Sequence, residues 1–318
     1  KKLFILFLIF LFLVGKSSAD EILDLYKHLH SNPELSWQEF KTSNLLADKM
    51  EGLGFTVTRK FAKTGVVSIY KNGKGPVLMI RADMDALPVE EKTGLEYSSK
   101  IKMLNDDKTE VSVMHACGHD IHMAVAVGTA KELINSKSKW SGTLMVIFQP
   151  AEETLEGARA MIKDGLFKDF PCDEIYGMHN WPWIPRGQFA TCHGALMASV
   201  SNIEVNIIGK AGHSGMINHA VDPVIIGAEI ITAMQTLISQ KTNPFEPAVI
   251  YFPIFETNVQ DTGIVPEKAV LRGIIRALSV GLRSQLEQQA RDLCNNIAAA
   301  HGATASVKIY NDGDEVFN

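Results

Sequence analysis

Apolar residues recur along this chain with two different periods, and the order in which those periods alternate changes about two thirds of the way along. Ile22, Leu25, Tyr26 and Leu29 fall at i, i+3, i+4 and i+7, the stripe of an amphipathic helix. Asn32-Pro33 predicts its end. Ser36, with Glu39 three residues on, has the form of a capping box opening a second helix, which Gly54 would close. Residues 66–70 and 77–82 read as strands, the second so nearly all apolar that both of its faces should be buried. A helix is expected after His119, where Met123, Val127, Ala130, Leu133 and Ile134 share one side. Strand 144–148, helix 156–166 and strand 175–178 continue the alternation. The pattern predicts an α/β layer, a mixed but largely parallel sheet flanked by helices.

After about Leu196 the rhythm changes. Strand 203–208 alternates, 223–239 is a long helix, 248–255 and 269–277 are strands, 284–301 is a second long helix and 305–309 a last strand. That order, β-α-β-β-α-β, is the ferredoxin-like plan. The expected organisation is an α/β part over 20–195, a compact α+β domain over 196–310, and a short remainder over 311–318.

The first residues follow neither pattern. Lys1 and Lys2 precede an apolar run over 3–14, and Ser17-Ser18-Ala19 follows as a small-residue cleavage site. Such a run is short for a membrane span and suits the core of a signal peptide over 1–19. The expectation is therefore export, to the periplasm or outside the cell, with no stable membrane anchor once the leader is removed. The rest is ordinary globular material, 46% hydrophobic and 21% charged. A net charge of −5, spread along the chain, offers no basic footprint for nucleic acid. Four cysteines in 318 residues do not make a disulfide scaffold. If Cys117 binds metal, at most one pair could form among Cys172, Cys192 and Cys294.

The candidate chemistry lies at the carboxyl ends of predicted strands, where α/β proteins place ligands. Arg81-Ala82-Asp83-Met84-Asp85-Ala86-Leu87-Pro88 leaves one strand, and Gln149-Pro150-Ala151-Glu152-Glu153 leaves another. Met114-His115-Ala116-Cys117-Gly118-His119-Asp120 stands just before a helix, and His179 ends a further strand. Singly, each has a plain explanation: loop carboxylates, a solvated helix start, a core histidine, a small buried thiol. Together they put thiolate, imidazole and carboxylate donors at one sheet edge, a donor set suited to borderline metals. Gly118 between Cys117 and His119 suits a tight turn aiming both at one point. Two adjacent glutamates let one hold metal while its neighbour handles protons.

On these stretches the chain resembles the metal-dependent amidohydrolases that include hippurate hydrolase, auxin–amino-acid conjugate hydrolases and N-acetyl amino acid deacetylases, relatives of the aminoacylase and carboxypeptidase group. His30-Ser31-Asn32-Pro33-Glu34-Leu35, Gly177-Met178-His179, Gly212-His213-Ser214 and Asp222-Pro223 also match, so the likeness runs from about Asp24 to the end. The resemblance implies two divalent cations (Zn, Mn or Co) bridged by Cys117. His119 and His179 would complete one site and Glu153 would bind the other. Glu152 would be the general base, and Asp85 a supporting carboxylate. His119 would stand in for a histidine that the wider group carries at the place of Asp83. The resemblance further implies that 196–310 is a lid inserted in a catalytic domain to which 311–318 would return; its His213 would steady the substrate carbonyl, and Arg276 and Asn258 would hold the substrate. The implied reaction is hydrolysis of the amide bond of N-acyl or N-aminoacyl amino acids by a metal-activated water. A homodimer is a further expectation.

Some departures accompany the match. Family members continue with a segment that carries another metal-binding histidine, for which no counterpart follows His301. Ile217-Asn218 stands where a Pro-His pair is usual, and Gly263-Ile264-Val265-Pro266 keeps the usual turn only in part. The favoured expectation is that 318 residues represent a fragment. Three alternatives stay open: a dipeptidase or carboxypeptidase acting on unblocked peptides, a non-catalytic binding homologue, and a cysteine hydrolase using Cys117.

Overall fold

The computed structural model describes residues 17–318, and most of the expected leader lies outside them. No described helix is long and apolar enough to cross a membrane. The described residues divide into two compact units, with the boundary in the sequence between Trp183 and Ile184.

In the first unit, helices α1 (Ser18–Ser31) and α2 (Phe40–Gly52) lead into strands β1 (Thr56–Phe61), β2 (Gly65–Asn72) and β3 (Val77–Asp83). A small hairpin follows, β4 (Lys102–Leu104) with β5 (Glu110–Ser112), and then α3 (His119–Asn135), β6 (Gly142–Gln149), α4 (Gly157–Lys163), α5 (Leu166–Asp169) and β7 (Glu174–Gly177). The main sheet has the order β1-β2-β6-β3-β7. The sheet is mixed as expected, but parallel pairing is confined to β6-β3-β7, and β1-β2-β6 pair antiparallel. The reason is the connection: β1 reaches β2 through a tight turn pairing Phe61 with Gly65, whereas a parallel neighbour needs a long crossover.

β3, expected to be buried on both faces, is so only in part, with Val77, Leu78, Ile80 and Arg81 half-buried, whereas burial is nearly complete along β6. Its Leu144, Val146 and Phe148 pack with Leu29, Leu46, Met50, Met123 and Val127, under α1, α2 and α3. Met145 and Ile147 face the other way, against Met79, Met161 and Leu166. β1 is not visible in the apolar pattern because Thr56-Val57-Thr58-Arg59-Lys60-Phe61 is a half-exposed edge strand with no apolar run. The expected helix over 156–166 is broken, since Gly165 at φ +98° ends α4 and starts α5.

The capping box is a correction. Glu39 does precede α2, but it makes no side-chain cap. Its carboxylate instead accepts from Thr64 Oγ1 at 2.7 Å and from the Ala151 amide at 2.8 Å, while Ser36 Oγ donates to Asp85 Oδ2 at 2.6 Å. Both side chains were free to cap locally and were taken by tertiary partners.

The second unit comprises β8 (Ala195–Met197), β9 (Ser199–Ile208), β10 (Gly212–His213), α6 (Pro223–Thr236), β11 (Ala248–Thr257), β12 (Ile264–Val265), β13 (Lys268–Ala277), α7 (Val280–Ala300), β14 (Thr304–Gly313) and β15 (Val316–Phe317). The main sheet, β11-β13-β9-β14, is antiparallel throughout and has the ferredoxin-like order. β9 and β13 alternate strictly: Ile203, Val205, Ile207, Leu271 and Ile275 pack with Ile230 and Met234 of α6 and Leu286, Ala290 and Cys294 of α7. β8 pairs with β15, which ties 195–197 into this unit. All four cysteines are unpaired.

Candidate metal centre

The parallel half of the first sheet aims three loops at one place. β3 ends in Asp83 and delivers Asp85, β6 ends in Gln149 and delivers Glu152 and Glu153, and β7 is followed by His179. Cys117 and His119 enter from the turn that starts α3. That turn requires glycine twice over. Gly118 has φ +83°, and a Cβ there would stand 2.3 Å from Asn180 Oδ1.

Each histidine has one nitrogen fixed by a backbone carbonyl. His119 Nδ1–H donates to the Asp85 carbonyl at 2.8 Å, and His179 Nδ1–H to the Asn180 carbonyl at 2.6 Å. Both Nε2 atoms face into the site, the atoms through which the rings could bind a metal once any second proton is released. His179 Nε2 lies 3.3 Å from Cys117 Sγ. His119 Nε2 lies 3.8 Å from Glu152 Oε2 and 3.8 Å from Glu153 Oε1. Two donors about 2.1 Å from one cation at a tetrahedral angle stand ~3.4 Å apart, so these spacings fit shared ions. His119 Nε2 and Glu153 Oε1 are also buried without any hydrogen-bond partner, as groups awaiting a cation would be.

Cys117, His119 and His179 form one possible cation-holding group, and His119, Glu152 and Glu153 another. Cys117 and Glu153 also act on each other electrostatically, so the thiol stands near both groups. A third combination, Asp83, His119 and His122, is differently built. His122 Nδ1–H donates to Asp83 Oδ1 at 2.7 Å, and Arg81 Nη1 donates to Asp83 Oδ2 at 2.7 Å. Those are hydrogen-bond contacts, shorter than the gap between two ligands of one ion, and the guanidinium already supplies the positive charge.

Electrostatics sharpen the assignment. Burial opposes charge on His119, yet Asp85, Cys117 and Asp83 outweigh it and push its pKa up to about 11. Burial, with Glu152 and Asp85 nearby, pushes the Glu153 carboxyl up to about 7 against the pull of His119. Burial and Asp83 also raise Glu152, which keeps more solvent contact, 34% against 19% for Glu153. The His119 contact favours a Cys117 thiolate, but burial and the two glutamates outweigh it and the thiol is raised above its ordinary value. Asp85 accepts from the Glu153 amide at 3.0 Å as well as from Ser36, and is held below the usual carboxylate range; burial works against this, and His119 and Ser36 outweigh it.

The three candidates in the second unit have local settings of their own. His213 is exposed on β10, its Nδ1 accepting from the Gly215 amide at 3.0 Å. Arg276 is exposed on β13. Asn258 follows β11, and its Oδ1 accepts from the Lys268 amide at 3.2 Å, closing the β11–β13 connection. Sequence reasoning missed His122. Its signal was present in the spacing His119-x-x-His122, which puts both rings on one face of α3.

Comparison with known proteins follows the same residues. The profile of Peptidase family M20/M25/M40 matches residues 79–313. The chain is 36% identical over 301 residues to thermostable carboxypeptidase 2 of Saccharolobus solfataricus, covering 93% of this chain and 74% of that protein. It is 37% identical over 289 residues to hippurate hydrolase of Campylobacter jejuni, covering 88% and 72%. A Bacillus subtilis crystal structure described as a dinuclear metal binding peptidase from M20 family superposes with a TM-score of 0.77 at 32% identity, over 96% of this chain and 77% of that one.

Proposed function

This chain belongs to peptidase family M20/M25/M40, and on that premise we propose that it hydrolyses the amide bond of N-acyl amino acids, with Glu152 as general base beside two divalent cations. The observation that carries this reading is the pair of buried, partnerless atoms, His119 Nε2 and Glu153 Oε1, 3.8 Å apart beside the Cys117–His179 contact. Cys117, His119 and His179 would hold one cation, and Glu153 with the shared thiol the other. Sulfur, imidazole and carboxylate donors suit Zn, Mn or Co. When bound, such cations lower the pKa of water and polarise an amide carbonyl. Glu152 takes the proton of the attacking water, and its raised pKa suits it to give that proton to the leaving nitrogen. Cleavage leaves a carboxylate on the acyl half and a free amine on the amino acid. Asp85 steadies the site by holding His119 through its carbonyl and the Glu153 amide through its side chain.

The test separates base from ligand. Glu152→Gln should lose N-acetyl amino acid hydrolysis by about three orders of magnitude or more while keeping its metal content, as loss of a general base working with activated water would. Glu153→Gln should lose metal as well. Identical metal content and turnover in the two variants would overturn the roles. Likeness to a carboxypeptidase favours a second reading, cleavage of unblocked peptides. Assaying N-acetyl amino acids beside dipeptides with free amino groups decides between them.

A further inference from the structure

Glutamates 152 and 153 ride on a turn whose backbone is under strain. Ala151, immediately before them, has φ +47°, and Leu155, just after, has φ +60°, both in a region that residues with a Cβ rarely adopt. Such a conformation persists only where surrounding contacts over-determine it. Within the turn, the Leu155 amide donates to the Glu152 carbonyl at 2.8 Å and the Gly157 amide to the Ala151 carbonyl at 3.0 Å. Gly157 admits this fold because a Cβ there would lie 1.6 Å from the Pro150 carbonyl oxygen. These local bonds shape the turn but do not anchor it.

The anchor comes from the segment whose capping box did not form. Ser36 braces the turn through Asp85, which accepts from the Glu153 amide. Trp37 Nε1 donates to Glu156 Oε2 at 2.7 Å. Glu39 Oε1 accepts from the Ala151 amide at 2.8 Å and from the Trp37 amide at 2.9 Å, while Oε2 accepts from Thr64 at 2.7 Å. Trp37 is itself strained, with φ +63°. Glu39 therefore joins two strained turns through one oxygen, and it does so at 0% exposure, where no water can replace it.

We propose that Glu39 is a positioning residue for Glu152: its buried carboxylate grips the Ala151 amide and so holds the turn that aims the base. The Glu39 carboxylate is hydrogen-bonded by the Ala151 and Trp37 amides and by Thr64, none of them a candidate metal ligand, so its hold on Glu152 runs through the backbone. A base displaced by about 1 Å can lose about a hundredfold in rate without losing the substrate.

This inference rests on the reading of Glu152 as the base, so Glu152→Gln is assayed beside the Glu39 variants. Glu39→Ala should lower kcat about tenfold to a hundredfold, with KM changed less than about threefold and Co2+ bound at the Cys117 group as tightly as before. Glu39→Asp, one methylene short of the Ala151 amide, should fall in the same direction and carries the test if the alanine variant fails to fold. Glu39→Gln should restore most of kcat. Its amide oxygen can take both N–H groups, and its NH2 can donate to the Thr64 hydroxyl. A glutamine variant as slow as alanine, an unchanged kcat in both Glu39→Ala and Glu39→Asp, or joint loss of kcat and Co2+ would overturn the clamp. An active Glu152→Gln variant overturns the base and the clamp together. An inactive one beside unimpaired Glu39 variants overturns the clamp alone.

Discussion

The two units of this chain bury very different material. The second seals an alternating antiparallel sheet against two helices with aliphatic side chains, and Ser199, Ser201 and Arg283 are its buried polar residues among those described. The first buries His30, Glu34, Glu39, Asp83, Asp85, Glu91, His115, His119, Asp120 and His122 within one fold. Burying ionisable groups is costly unless each is paired, and a core made for stability alone avoids them. The difference teaches where function sits. The first unit's polar interior carries the residues proposed to hold and orient cations, whereas the described core of the second is almost wholly apolar.

The comparison can be broken at several points. The largest effect is expected at Cys117, the thiol proposed to serve both ligand groups. Cys117→Ala should lower metal content at both sites and reduce hydrolysis by about three orders of magnitude or more. Elemental analysis finding undiminished metal would remove the shared-ligand role. Next, Leu286→Ala opens a cavity in the aliphatic cluster of the second unit and should cost about 2–5 kcal/mol of stability in denaturant unfolding. Metal affinity should be untouched, and a parallel loss of metal would show that the two units are not separate in function.

A smaller effect is expected at His122, which hydrogen-bonds Asp83 and accepts from the Asn180 amide at 3.0 Å. The Asn180 carbonyl in turn fixes His179, so His122→Ala should weaken metal binding about tenfold to a hundredfold by titration, as loss of such a supporting partner does. Wild-type affinity in that variant would mean that the His179 loop holds itself. The smallest effect concerns His30, between Asp120 at 2.6 Å and Glu91 at 3.1 Å. Burial opposes its charge, but the hydrogen bonds with Glu91 and Asp120 prevail and raise its pKa. Its contribution to stability is therefore complete below the unfolded pKa of about 6.5 and is lost as pH rises through the higher folded value. His30→Gln should flatten that part of the stability–pH curve, and an unchanged slope would show that His30 is not charged in the fold.

Much of the site is legible in the amino-acid sequence because its ligands come in short segments. Cys117-Gly118-His119 and Glu152-Glu153 announce themselves by donor type and spacing, and His179 by its place after a strand. His122 carried a readable spacing but no motif that separates a metal ligand from a supporting side chain. Only the 2.7 Å bond to Asp83 makes that distinction. Ser36 and Glu39 show the opposite failure. Their local pattern was real, but Asp85 and Ala151 offered buried partners that no window of sequence contains.

The sequence by itself determined the two rhythms, and with them the two kinds of sheet, because burial on one face or both is written into the apolar period. It also determined which donors were available for a cation. The tertiary structure decided which nitrogen of each histidine faces the site, since Nδ1 is claimed in each case by a carbonyl. It decided too that Asp83 serves Arg81 and His122, and that a would-be helix cap hydrogen-bonds the turn leading to Glu152 and Glu153. Those choices depend on which groups meet after folding, where a buried hydrogen bond left unmade costs more than a local one gains.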